Sequence, residues 1–128
     1  MIEITSNPNE IKAIKEDSIR RFDLFWKQKD NIEMAKYVFE NLYESLRELA
    51  ECIALSDGKK IYSHELTIKY LKEKGSITEN DSVLFDDFRK LRNKSKYYGK
   101  NISIEKLKES LNDFKRLKSI LISKLGVK

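Results

Sequence analysis

Between Asp30 and Gly58 the chain has neither proline nor glycine, and Ile32, Ala35, Phe39, Leu42, Leu46, Leu49 and Ile53 step by three and four. That is the period of one face of an α-helix; a half-buried strand would alternate at every second residue. A helix of about 27 residues here would span roughly 40 Å. An apolar stripe of that length has to be covered, either by other helices of the same chain or by a second copy of it.

The rest of the chain supplies covering helices. Ile11, Ile14, Phe22 and Phe25 recur at helical spacing in a first segment, with Ile19 and Trp26 alongside. A short third segment, from about Ser63 to Lys74, carries Leu66, Ile68 and Leu71. The fourth runs from about Glu79 to Tyr98, with an inner face read as Leu84, Phe88, Leu91, Ser95 and Tyr98. The last repeats the long stripe with Ile104, Leu107, Leu111, Phe114, Leu117, Leu121 and Leu125. No segment alternates with period two, so no sheet is expected.

The boundaries agree with the periods. Gly58, Gly75, Gly99 and Gly126 each follow a helical pattern, the place of a helix-ending residue. Asn7-Pro8-Asn9-Glu10 puts an acceptor before a proline at the first helical position. Asp30-x-x-Glu33 has the spacing of a capping box, and Ser63, Thr78 and Ser103 stand before the last three helices. The expected architecture is all-α: an up-and-down bundle of about five helices, forming a single domain over residues 1–128. Short connections favour antiparallel neighbours.

Composition narrows the function classes. The apolar runs fall short of the about 20 residues a membrane span needs. The opening MIEITSNPNE is polar and acidic, unlike a signal peptide, so a cytoplasmic location is expected. Cys52 is the single cysteine, which excludes an internal disulfide and a cysteine-based zinc site. It falls beside the long stripe, where a buried, inert thiol is expected. No glycine-rich phosphate loop, histidine pair or carboxylate cluster has cofactor- or metal-binding spacing. No metal and no cofactor is expected.

Charge is unevenly placed. The net charge is +5, yet residues 88–128 hold 13 Lys or Arg against 3 Asp or Glu. The last two helices should therefore carry a positive surface, of the kind that attracts phosphate. A solvated lysine face would look the same. Only six residues are arginine against twenty lysines, and Arg89 and Arg92 fall on one strip with Lys96 at i, i+3 and i+7. Arginine grips phosphate or carboxylate with two parallel donors. Arg92 is placed at the edge of the core, with Asn93 and Lys94 beside it and Tyr97 and Tyr98 at the helix end as stacking or hydroxyl groups. The candidate binding set is Arg89, Arg92, Asn93, Lys94, Lys96 and Tyr98, and the candidate catalytic set Arg92, Tyr97 and Tyr98. The competing reading is structural: Tyr98 belongs to the core, and Arg92 pairs with a carboxylate on the second helix.

The five-helix order, with Leu91-Arg92-Asn93 near the end of the fourth helix, resembles the HEPN domain family over residues 10–125. Ser63-His64 opening the short third helix, followed by Leu66 and Tyr70-Leu71-Lys72, is similar to that family too. The family's signature is an arginine, often followed by asparagine, then four to six residues and a histidine. Arg92 and Asn93 match it; at the histidine's spacing stand Tyr97 and Tyr98. The resemblance implies a homodimer with Arg92 near the two-fold cleft. It implies binding of RNA or a nucleotide, or metal-independent RNA cleavage, and for some members pairing with a nucleotidyltransferase antitoxin. Tyrosine, with a pKa near 10, is a poor proton carrier at neutral pH, so the lost histidine points to a binding protein before a ribonuclease. His64 is the only histidine and is expected to cap or pack at the start of its helix rather than to catalyse.

Overall fold

Each helix begins where the sequence offers an acceptor to its first free N–H groups. The computed structural model describes residues 1–126. Asn7 accepts from the backbone of Asn9 and Glu10 to open α1 (Pro8–Trp26). Ser63 accepts from Leu66 N to open α3 (His64–Glu73), and Thr78 accepts from Asp81 N to open α4 (Glu79–Tyr98). Ser103 does the same through Lys106 N for α5 (Ile104–Gly126). α4 stops at Gly99, whose left-handed backbone (φ +68°) lets its N–H turn back to the carbonyl of Lys94.

The long central helix departs from expectation at its start. Residues Ile32–Met34 form one 3₁₀ turn, and α2 proper runs Ala35–Ser56. Asn31, not Asp30, supplies the acceptor, to Glu33 N. Ile32 is 73% exposed, so the buried stripe begins only at Ala35. Gly126 is the last residue of α5 rather than the residue after it.

A small sheet also forms, against expectation. β1 (Ile2–Glu3) pairs antiparallel with β2 (Lys59–Lys60), Ile2 opposite Lys60 and Glu3 opposite Lys59. Strands of two residues are too short to show an alternating pattern. The pairing depends on Gly58: it has φ +76°, it accepts from Ile4 N at 2.7 Å, and a Cβ there would sit 3.0 Å from the Ile4 carbonyl oxygen.

The side-chain pairs give the helix directions. Cys52 Sγ lies 3.8 Å from Ile11 O and Arg21 pairs with Glu48, so α1 runs antiparallel to α2. Phe88 meets Phe39 and Phe85 meets Tyr43, which sets α4 antiparallel to α2. α5 begins beside Lys36 and Tyr37 and ends with Leu125 near Ser56, parallel to α2. The four long helices thus alternate up and down. α3 breaks that order: His64 lies by Tyr43 and Tyr70 bonds Asp57, so α3 runs with α2. Residues 57–63 carry the chain back along α2 before α3 starts.

α2 is the hub of the core. Val38, Phe39, Leu42, Tyr43, Leu46 and Leu49 are fully buried. Phe39, Phe88 and Phe114 form an aromatic cluster joining α2, α4 and α5, with centroid separations of 4.5 to 5.5 Å. Cys52 is buried as well, and burial pushes its thiol up to about 12, so it stays a neutral thiol at physiological pH. No helix among the described residues is long and apolar enough to cross a membrane.

Candidate functional site

Phe85, Phe88, Arg92 and Ser95 follow one line along α4 at helical spacing, and all four are buried. The inner face is therefore rotated from the one read in the sequence. Leu84 and Leu91 are half-buried at its edges. Tyr98 is 83% exposed and lies outside the core. Arg92 is only 4% exposed, in the core rather than at its edge. The cause lies on α2, where the partners of these polar side chains are. Phe88 locks against Phe39, and one turn later Arg92 reaches α2 at Glu44, with Nη1 donating to Oε1 at 3.1 Å. Another turn part-way on, Ser95 donates to Glu40 Oε2 at 2.5 Å and accepts from Lys36 Nζ at 2.6 Å.

Around Arg92 three helices converge. Its guanidinium lies 4.9 Å from the ring centre of Tyr43 and 6.0 Å from that of Tyr97. Its Nη2 stands 3.4 Å from Nδ1 of His64, the first residue of α3. A guanidinium only donates, so Nδ1 is the acceptor and the ring proton sits on Nε2. Glu44 is held a second time: Arg47 Nη2 donates to its Oε2 at 2.5 Å, and Arg47 Nη1 donates to Glu51 at 3.1 Å. Across the groove, Arg21 of α1 donates to Glu48 at 2.7 Å. The open space over these groups is a groove of about 250 Å³ lined by Arg21, Glu40, Asn41, Glu44, Arg92 and Lys96.

The electrostatics follow from this packing. Burial raises the Glu44 pKa, but the Arg47 hydrogen bond and the charges of Arg47 and Arg92 outweigh that, holding it below the usual carboxylate value. Burial, reinforced by the charges of Arg47 and Arg92, lowers His64 to about 4, so its imidazole is neutral at physiological pH. Burial likewise raises the Glu48 carboxyl, aided by Glu44 and opposed by Arg21. Three buried atoms in this cluster have no hydrogen-bond partner among the described residues: Tyr43 Oη, Arg47 Nε and Arg92 Nε.

The other residues singled out in the sequence divide into two groups. Arg89 is drawn away from the groove by Asp86 at 2.7 Å and Glu65 at 3.6 Å. Asn93 is half-buried and Lys94 exposed beyond it. Lys96 lines the groove and is exposed, and Tyr97, 63% exposed, sits beside both Lys96 and Arg92. The positive surface is thinner than its sequence: Lys90, Lys108, Arg116 and Lys118 are all ion-paired.

Glu40, Glu44, Arg47 and Arg21 are groove or network residues that the sequence reading did not single out. A signal existed. α2 is apolar over more than half its circumference, and Lys36, Glu40, Glu44, Arg47, Glu48 and Glu51 form one polar strip, roughly a third of the circumference wide, on it. In a helix so largely enclosed, that strip is half-buried polar surface instead of a solvated face. Among the described residues no group of three or more His, Cys, Asp or Glu side chains stands at metal-binding distance. No protein-family model matches the chain, and no curated protein is detectably similar to it in sequence.

Proposed function

We propose that this chain is an HEPN-like helical protein, acting as a homodimer, that binds RNA or a nucleotide through the groove around Arg92 and cleaves RNA weakly or not at all. The observation that carries this reading is the buried Arg92 at the head of a groove rimmed by Lys96 and Arg21, with exposed Tyr97 alongside. Cation, aromatic ring and concave surface together form the ordinary means of holding a phosphate next to a base. The proton chemistry argues against efficient cleavage. The His64 Nδ1 lone pair faces Arg92, and with a pKa near 4 the ring is a weak base.

One observation favours a second reading, a metal-independent ribonuclease. His64 and Arg92 are 28 positions apart in the chain, yet they stand in contact. An arginine to offset phosphorane charge and a histidine to move a proton are the parts such an enzyme needs. The two readings separate experimentally. A short labelled RNA is titrated with wild type and with Lys96→Gln and Lys94→Gln, both exposed positions, across a salt series in chelator, and the RNA is then run on a gel. Binding predicts intact RNA and a salt slope that drops by about 1 for each lysine that contacts phosphate. Cleavage by wild type that is lost in His64→Ala makes the protein an enzyme. Absence of any binding at low salt removes both readings and leaves a scaffold for a protein partner. Sedimentation of the same samples tests the dimer.

A further inference from the structure

We infer that Arg92 and Arg47 form a phosphate clamp whose resting occupant is the protein's own Glu44. This deepens the reading above by naming the atoms that grip an anion, those of Arg92 on the groove and of Arg47 beyond its lining, and the residue that sets their availability.

The geometry is that of a held oxyanion. Glu44 presents one carboxylate oxygen to each arginine, Oε1 to Arg92 Nη1 at 3.1 Å and Oε2 to Arg47 Nη2 at 2.5 Å. Two guanidinium groups converging on one small anion from two helices is an arrangement suited equally to carboxylate and phosphate. The carboxylate does not fill it. Arg92 Nε and Arg47 Nε are buried donors without a partner among the described residues. The two carboxylate oxygens and their lone pairs lie in one plane, and neither bonds an Nε here; a phosphate spreads its acceptor oxygens over a tetrahedron. Burying an unmade donor costs stability, so the clamp is under-satisfied by its present occupant.

The occupant can also leave. Arg92 has a side chain only 5% exposed, whereas that of Glu44 is 23% exposed and borders the groove. Lys96 lies on the same groove and its charge already acts on Glu44, so the carboxylate has a cation to turn towards at the rim. Lys96 at the opening also draws an incoming anion. Glu44 therefore sets the affinity of the site: a phosphate group must displace it, and weak anions cannot.

The test uses the whole protein and inorganic phosphate, with chloride at matched ionic strength as the control. Phosphate binding is followed by calorimetry and by the rise in melting temperature, for wild type, Glu44→Ala and Glu44→Gln. Circular dichroism checks the fold, and Glu44→Gln keeps the shape and one acceptor should the alanine variant be too unstable. The expected result is at least tenfold tighter phosphate binding by Glu44→Ala than by wild type, with Glu44→Gln between them. That gain should vanish in Glu44→Ala/Arg92→Met. Equal phosphate affinity in wild type and both folded variants overturns the clamp, as does a gain that survives loss of Arg92. Repeating the titration with the labelled RNA distinguishes the two levels. A phosphate gain without RNA binding by any variant leaves the clamp standing and removes the RNA reading. RNA binding by wild type without a phosphate gain does the reverse.

Discussion

Replacing Arg92 with methionine tests the description of the groove most directly, because that description assigns Arg92 a folding role as well as a binding one. Removing one partner of a buried ion pair costs about 3–5 kcal/mol, mostly by stranding the other charge. Two features here pull toward the low end. Glu44 retains Arg47, and its side chain is 23% exposed. Loss of the contact between the guanidinium and the Tyr43 ring adds back about 0.5–1 kcal/mol. The expected loss is about 3 kcal/mol, or roughly 10 °C in melting temperature for a domain of this size. Urea unfolding followed by circular dichroism measures it. Glu44→Met, which strands Arg92 itself, should cost at least as much. Arg92→Met/Glu44→Met should cost less than the two singles added, with a coupling of about 1–3 kcal/mol. A loss below about 0.5 kcal/mol for Arg92→Met would mean that Arg92 is a solvated side chain and the buried network is wrong. The experiment also has a practical consequence. Activity lost in an Arg92 variant is uninterpretable without its stability, so Lys96, exposed on the groove, is the better position for testing binding.

His64 makes stability depend on pH in a definite sense. Its ordinary pKa is about 6.5 and burial beside Arg47 and Arg92 lowers it to about 4, so between those values the unfolded chain binds the extra proton. The contribution of His64 is complete above about pH 6.5 and is lost as pH falls toward 4. Wild type should lose more stability than His64→Gln on going from neutral pH to about pH 5, and an imidazole that titrates near 6.5 in the native protein by NMR would contradict the placement. The glycines give a paired comparison. Gly99→Ala faces only backbone strain, since nothing lies within 4 Å of an added Cβ, and should cost about 1 kcal/mol. Gly58→Ala meets the same strain plus the Ile4 carbonyl at 3.0 Å, and should cost about 2–3 kcal/mol, with faster amide exchange at Ile4. Equal costs at the two sites would mean that the Ile4 strap contributes nothing.

Local chemistry was legible along the chain. The three-and-four step of apolar residues marked α2 and α5 along their length, because amphipathic burial acts on one segment at a time. Asn7, Ser63, Thr78 and Ser103 announced the helix starts, because a cap bonds only to the next two or three residues. Arg92 stood out as a rare arginine, and its pairing with a carboxylate on the second helix was one of two readings open to it. What the sequence did not carry was the registry between elements. The buried line of α4 was misplaced because Arg92 and Ser95 look solvent-facing until Glu44, Glu40 and Lys36 are set opposite them. His64 read as a residue packing at a helix start; only the return of residues 57–63 along α2 brings it against Arg92. β1 and β2 had no pattern to read, being two residues each and held by a contact between positions more than fifty apart. Capping and helical period are decided within a few residues. The burial of a charge is decided by whatever charge packing places across from it, and that is a property of the assembled bundle.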